Sequence, residues 1–124
     1  MDHTPGFLKL VEEVRPRVRE ISVDEARAGQ AAGARLIDVR EDLEYAAGHA
    51  AGAEHLGKGV IERDAEARLP DPHAEVILYC GGGFRSVLAA EALQRMGYTN
   101  VASMSGGWRA WQEAGAPVER PGRG

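Results

Sequence analysis

The sequence contains a single cysteine, Cys80, and the residues around it are of types that make a thiol reactive. An apolar run at residues 76–79 precedes it and predicts a short buried strand. A glycine-rich loop then leads into a helix predicted to end near Met96; the loop consists of Gly81, Gly82, Gly83, Phe84, Arg85 and Ser86. Helix N-terminal amides and a neighbouring arginine both favour the charged form of a thiol. We therefore predict that Cys80 is a nucleophile and not a structural core residue.

The same loop is suited to hold a negative charge. Glycine adopts backbone angles that other residues avoid, so the amides from Gly81 to Ser86 are predicted to curl around the sulfur. Arg85 allows two interpretations: its side chain attracts an anionic substrate, or it pairs with Asp38 or Glu44 and braces the loop. We favour bracing, because a partly buried charge usually needs a partner.

Composition sets limits on the class of protein. The chain has 124 residues, 44% of them hydrophobic, which suits one domain with a real core. Its net charge of -4 and the lack of a basic cluster argue against nucleic-acid binding, and no apolar run approaches the length of a membrane span. We expect a cytoplasmic protein, since the N-terminus lacks signal-peptide features and one cysteine cannot form an internal disulfide. The four histidines show no metal-ligand spacing, so we expect neither a metal nor a cofactor.

Short predicted strands alternate with predicted helices along the chain. The strands are expected at residues 21, 36–37, 53–56, 76–79 and 101–103. The helices are expected at residues 7–18, 22–32, 60–69, 86–96 and 108–113, the first weakened by Pro16 and the second opened by a capping box from Ser22 to Glu25. This alternation predicts an α/β fold with a mostly parallel central sheet of about five short strands and helices on both faces. Ligands of such sheets bind beyond the carboxyl ends of the strands, where both Cys80 and Asp38 are predicted to lie.

The sequence resembles the rhodanese-like family of single-domain sulfurtransferases in four ordered blocks. The blocks are residues 36–41 (LIDVRE); Glu44-Tyr45 with Gly48-His49 and Gly52-Ala53; the loop from Tyr79 to Ser86; and Gly97-Tyr98, Val101, Gly106-Gly107, Trp111 and residues 114–118. The resemblance covers about residues 21–118 and implies the rhodanese-like three-layer fold for them. We predict that residues 1–20 form a helical extension packed on this domain and that residues 119–124 form a flexible tail.

The resemblance implies a sulfurtransferase that works through a persulfide on Cys80. A sulfane sulfur would move from thiosulfate, a polysulfide or a persulfide to a thiophilic acceptor such as a thiol, cyanide or a protein. Four further motif positions are assigned to supporting the site or contacting substrate, namely Asp38, Arg40, Glu44 and His49. Glu44 stands where the tandem-domain thiosulfate enzymes carry an arginine, which argues against thiosulfate as the preferred donor.

Two other functions are considered. The resemblance implies that certain phosphatases share this fold. In these phosphatases five residues lie between the cysteine and the arginine, whereas four lie between Cys80 and Arg85. The shorter loop favours binding of a single sulfur over binding of a tetrahedral oxyanion. A phosphatase or arsenate reductase is therefore the less favoured hypothesis. A persulfide carrier or protein-interaction module with little turnover of its own stays open, although the intact loop argues against complete loss of catalysis.

Overall fold

Helices and strands alternate along residues 3–120, the part of the chain that the computed structural model describes. The helices are α1 (Pro5–Val14), α2 (Val23–Ala31), α3 (Asp42–Ala47), α4 (Ile61–Arg68), α5 (Arg85–Arg95) and α6 (Gly107–Glu113). The strands are β1 (Arg19–Ile21), β2 (Arg35–Asp38), β3 (His49–Ala50), β4 (Glu54–His55), β5 (Val76–Tyr79), β6 (Val101–Met104) and β7 (Val118–Glu119). A 3-10 turn at Arg15–Arg17 follows α1.

Five of the strands form the central sheet, in the order β1-β6-β5-β2-β4. Every neighbouring pair in this sheet is parallel. The strand that ends in the cysteine loop, β5, lies in the middle, and β3 and β7 form a separate antiparallel pair. The predicted α/β fold with a mostly parallel sheet of about five strands is therefore confirmed.

Helices cover both faces of the sheet. Side chains of successive strand residues point to opposite faces, so β5 contributes to an apolar cluster on each face. Val76, Leu78 and Cys80 pack into a cluster with α1, α4 and α5. Ile77 and Tyr79 pack into a second cluster with α2 and α6. The central strand thus has no polar face, and its apolar run is the sequence signal of a strand buried on both sides.

The predicted and observed elements differ where the elements are very short. The sequence predicts neither α3 nor the β3–β7 pair. None of the six residues of α3 is buried, so no periodic apolar pattern marks it, and β3 and β7 contain two residues each. The predicted weakness at Pro16 is confirmed, since α1 ends at Val14 and the 3-10 turn follows.

The structure describes most of the segment before the predicted domain and the first two residues of the segment after it. Val11 and Val14 of α1 are buried in the same cluster as α5, so the N-terminal helix packs on the domain. Glu119, predicted to begin a flexible tail, instead pairs with His49 in the β3–β7 ladder. Residues 121–124 of the predicted tail lie outside the described residues. Within residues 3–120, no helix has both the length and the apolar character of a membrane span.

Candidate active site

Cys80 lies at the carboxyl end of the central strand, immediately before the loop that opens α5. Its side chain is only 1% exposed. Two backbone amides donate to its sulfur, from Gly83 at 3.2 Å and from Ser86 at 3.4 Å. The loop therefore presents donors to Sγ as the sequence predicts, but the two that donate are Gly83 and Ser86 rather than the whole run from Gly81.

The sulfur also belongs to a buried chain of hydroxyl groups. The Cys80 thiol donates to Ser86 Oγ at 3.5 Å, and Ser86 Oγ lies 2.8 Å from Ser103 Oγ on β6. Both serines are fully buried. Ser86 thus contacts the sulfur through both its backbone amide and its hydroxyl group.

The second strand-to-helix turn, between β6 and α6, holds the cysteine loop in place. Trp108 N donates to Cys80 O at 2.7 Å, and Arg109 N donates to Gly81 O at 3.1 Å. Gly107 has φ of +52°, and a side chain there would overlap the Cys80 carbonyl oxygen. Gly83 is equally restricted, with φ of +91° and the Gly106 nitrogen 2.8 Å from the position of an added Cβ. Glycine is required at both positions by backbone angle and by space.

Arg85 lies beside two carboxylates of the α3 segment. Its guanidinium nitrogens are 3.7 Å from Glu41 and 3.6 Å from Glu44, and its side chain is one-third exposed. Glu44 also accepts a hydrogen bond from the Glu41 amide at 3.0 Å. Of the two predicted partners of Arg85, the structure thus places Glu44 beside it and Asp38 elsewhere.

Asp38 pairs instead with Arg40, inside the protein. The carboxylate is fully buried, and Arg40 is 4% exposed. Arg40 Nη2 donates to Asp38 at 2.8 Å and to the Gly48 carbonyl at 2.7 Å. Burial alone would lower the pKa of Arg40, but the hydrogen bonds and charge of Asp38 raise it above its ordinary value. Asp38 is therefore in register with Tyr79, the residue before Cys80. Its charge is neutralised by the ion pair with Arg40.

His49 orders the segment after α3. Its Nδ1 lies 3.0 Å from the Tyr45 carbonyl, its ring stacks on the Tyr45 ring at 3.8 Å, and its Nε2 lies 3.4 Å from Glu119. All of these contacts lie within the protein, and His49 does not line the pocket described next.

A pocket of about 910 Å³ opens over Cys80. Its lining residues are His3, Thr4, Phe7, Glu44, Cys80, Gly81, Gly82, Phe84, Arg85, Gly106 and Arg109. Of the four further motif positions, only Glu44 reaches it. Sequence reasoning missed Arg109 and the N-terminal residues, because the first carries no motif signal of its own and the others lie far from the loop along the chain.

With the fold and the cysteine site in view, comparisons with known proteins define the class. A model of the rhodanese-like domain matches residues 22–114, and this chain belongs to the rhodanese-like family. The predicted family is confirmed. The chain is 36% identical to the thiosulfate sulfurtransferase GlpE of Pseudomonas entomophila over 94 residues, which cover 76% of this chain and 84% of GlpE. At the level of enzyme class, the prediction of a sulfurtransferase is confirmed as well.

Two other relatives carry different descriptions. The protein HIGH ARSENIC CONTENT 1, mitochondrial, of Arabidopsis thaliana is 32% identical, over 97% of this chain and 78% of its own length. A solved structure from Rhodopseudomonas palustris, of unknown function and described as a possible tyrosine phosphatase, has a TM-score of 0.80 and 29% identity. The match covers 96% of this chain and 98% of that one, so the similarity includes the N-terminal helix.

Proposed function

We propose that this protein moves a sulfane sulfur from a donor to a thiophilic acceptor and carries it on Cys80 as a persulfide. The observation that carries the proposal is the environment of the Cys80 sulfur. It accepts from the Gly83 and Ser86 amides at 3.2 and 3.4 Å, at the start of α5, where negative charge is favoured. The proposal includes the reducing cytoplasm predicted from the lone thiol, which must stay reduced to act.

In the first step, the Cys80 thiolate attacks the outer sulfur of a donor such as thiosulfate. A sulfur–sulfur bond to Cys80 forms, the donor's own sulfur–sulfur bond breaks, and sulfite leaves with the electron pair. The charge of the thiolate passes to the terminal sulfur of the persulfide. The step consumes no oxidant, reductant or proton.

In the second step, an acceptor thiolate attacks the terminal sulfur of the Cys80 persulfide. The acceptor leaves as a persulfide, and Cys80 leaves as a thiolate with the electron pair of the broken bond. The same two amides donate to this leaving group, and the Ser86 hydroxyl, 3.5 Å away, can donate to it when the sulfur carries no hydrogen. A set of donors that is fixed before the reaction therefore assists both steps.

The other site residues support this chemistry. Gly81, Gly82 and Phe84 line the pocket beside the sulfur. Arg85 braces the loop against α3, and the Asp38–Arg40 pair and His49 hold the chain that follows β2.

The Arg85 contacts favour sulfur transfer over phosphatase or arsenate chemistry. An enzyme for tetrahedral oxyanions needs its arginine available to the anion, and here Glu41 and Glu44 lie 3.7 and 3.6 Å from the Arg85 guanidinium. The loop between Cys80 and Arg85 is also one residue shorter than in the phosphatases that the resemblance assigns to the same fold.

Intact-protein mass tests the proposal directly. After incubation with thiosulfate or polysulfide, the wild type is expected to gain one sulfur atom, and cyanide or a thiol is expected to remove it. Cys80→Ser should keep its circular dichroism spectrum and gain nothing. Sulfur transfer by Cys80→Ser at the wild-type rate, or rapid hydrolysis of an aryl phosphate by the wild type, would contradict the proposal. A stable persulfide that free thiols do not discharge would identify a carrier for a protein acceptor.

A further inference from the structure

One wall of the pocket over Cys80 comes from outside the segment that the family model matches. That segment is residues 22–114, whereas His3, Thr4 and Phe7 line the pocket. We propose that this wall selects the acceptor, and that the acceptor is a small thiol with an apolar body and a carboxylate. The inference rests on the proposed sulfur transfer and specifies its second substrate.

The wall is aromatic and reaches the cysteine loop. The rings of His3 and Phe7 lie 4.4 and 6.3 Å from the ring of Phe84, and 5.1 Å from each other. The guanidinium of Arg15 lies 5.3 Å from the centre of the Phe84 ring and helps to hold it. Three rings in mutual contact, next to the reactive sulfur, give an apolar group of a ligand a place to pack.

The size of the pocket exceeds what a small donor needs. Its volume of about 910 Å³ falls in the range of sites that bury most of a drug-sized ligand, roughly 300–1,000 Å³. Thiosulfate or cyanide would leave most of this space to water. A thiol with a ring or a branched apolar chain would fill the side of the pocket nearest Phe7 and Phe84.

Charges at the pocket point to an anionic group on the ligand. Arg109 lines the pocket, is exposed, and has no carboxylate within ion-pair distance among residues 3–120. The other pocket arginine, Arg85, already neighbours Glu44 and Glu41. A carboxylate on the acceptor therefore has Arg109 as its partner. The other end of the acceptor remains free to place its thiol at Cys80.

Two acceptors that differ only in an apolar group test the aromatic wall. The probes are 3-mercaptopropionate and 2-benzyl-3-mercaptopropionate, with thiosulfate as donor, and the readout is kcat/KM for each thiol. An apolar group that fills a pocket is worth about tenfold or more in kcat/KM, so the wild type should prefer the benzyl compound by at least that factor. Phe7→Ala should reduce this preference to about twofold.

Matched variants separate the wall from general damage. Leu10→Ala lies on the same helix, at a side chain that is 49% exposed and outside the pocket, and should keep the wild-type preference. Phe7→Leu keeps an apolar side chain in α1 and should give an intermediate preference, which covers the case in which Phe7→Ala lowers the melting temperature. Arg109→Gln should lower kcat/KM for both acids by a similar factor and leave their ratio unchanged.

The possible outcomes distinguish the inference about the acceptor from the proposed sulfur transfer on which it rests. A wild type that discharges its persulfide equally well to both thiols overturns the inference and leaves sulfur transfer standing. An unchanged benzyl preference in both Phe7 variants does the same. A wild type that forms no persulfide at all overturns the proposed function, and the acceptor inference with it.

Discussion

The hydroxyl of Ser86 is expected to influence the reactivity of the Cys80 sulfur. In Ser86→Ala the sulfur keeps both amide donors but loses its hydroxyl partner at 3.5 Å. A hydrogen bond to a charged group contributes about 1.5–3 kcal/mol, so alkylation of Cys80 by iodoacetamide at neutral pH should slow by about tenfold or more. The measurement is the second-order rate constant for alkylation of each protein at one fixed pH.

Ser103→Ala provides the comparison. It removes the partner of Ser86 at 2.8 Å but leaves the Ser86 hydroxyl free to donate to the sulfur. Its effect on alkylation should therefore be smaller than that of Ser86→Ala. The reverse order would show that the hydroxyl chain acts through packing and not through a hydrogen bond to the sulfur. The charged side chains of Arg85, Glu44 and Arg109 line the pocket together with Cys80, and neither substitution changes them.

Glu44 is expected to weaken the binding of thiosulfate. It brings a negative charge to the pocket and lies 3.6 Å from Arg85, so it repels a dianionic donor and also occupies the nearby cation. Glu44→Gln should lower the KM for thiosulfate more than the KM for an uncharged polysulfide donor. The difference should be larger at low ionic strength, because salt screens exposed charges.

Glu41→Gln is the matched control for Glu44. Glu41 lies 3.7 Å from the same arginine, but its side chain is 79% exposed and does not line the pocket. Its substitution should change the thiosulfate KM less. Equal effects of the two variants, or no effect of Glu44→Gln at low salt, would remove the electrostatic argument about the donor while leaving the role of Cys80 intact.

The sequence predicts the residues of the site well where they are neighbours along the chain. Cys80, its glycines and Arg85 are contiguous, so one loop reveals them together. Ser103 lies on a different strand, and nothing around it in the sequence connects it to the sulfur. The pairing of Asp38 with Arg40 likewise depends on a bend after β2 that places the two charges within 2.8 Å.

At the scale of the elements, the turn between β6 and α6 is expected to control the cysteine loop. Gly107→Ala places a methyl group onto the Cys80 carbonyl oxygen at a φ of +52°. The turn must then move, which breaks the bonds from Trp108 N and Arg109 N to the loop. We expect a loss of more than about 2 kcal/mol in the free energy of unfolding, and a larger fractional loss of sulfur transfer.

Gly115→Ala tests the effect of backbone strain alone, without the steric overlap that Gly107→Ala creates at the cysteine loop. Gly115 follows α6 with a φ of +69°, and nothing lies within 4 Å of an added Cβ. It should cost about 1–2 kcal/mol, the penalty of the left-handed backbone alone, and leave the rate of sulfur transfer in the folded protein unchanged. Urea unfolding and transfer rates measure both effects. Similar losses of activity in the two variants would show that the β6–α6 turn does not position the loop.

The elements that the sequence predicts are those with enough residues to show a pattern. Four apolar residues mark β5, and an apolar stripe through α5 packs Val87, Ala90 and Leu93 into the core. By contrast, α3 buries nothing, although it carries Glu44 to the pocket. An element whose task is to present a charge leaves no hydrophobic signal in the sequence.

At the scale of the whole molecule, the site forms where separate parts of the chain meet. The order of the strands puts β5 between β2 and β6, so the segments after all three strands converge on one edge of the sheet. Strand alternation predicts this edge. It does not predict that α1 packs against α5 and adds His3 and Phe7 to the pocket, because that contact spans most of the chain and depends on the direction of the 3-10 turn.

The stability of the whole fold is expected to depend on pH through the ion pair that ties the edge strand β4 to β2. Arg35 Nε donates to Glu54 at 2.8 Å, and a second bond joins the same two side chains. The hydrogen bond from Arg35 lowers the pKa of Glu54, against the opposing effect of burial and with help from the charges of Arg35 and Arg68. Glu54 thus holds its charge more firmly in the folded protein than in the unfolded chain.

The sign of the dependence follows from this lowered pKa. The stabilisation is complete above the ordinary pKa of 4.5 and is lost as pH falls through the lower value of the folded state. The difference in the free energy of unfolding between wild type and Glu54→Gln should therefore be constant near neutral pH and shrink below about pH 4.5. Glu13→Gln, at an exposed carboxylate outside the ion pairs of residues 3–120, should show little change over the same range. If the Glu54→Gln difference grows as pH falls, the pair destabilises the fold, and β4 is held to β2 by its backbone bonds alone.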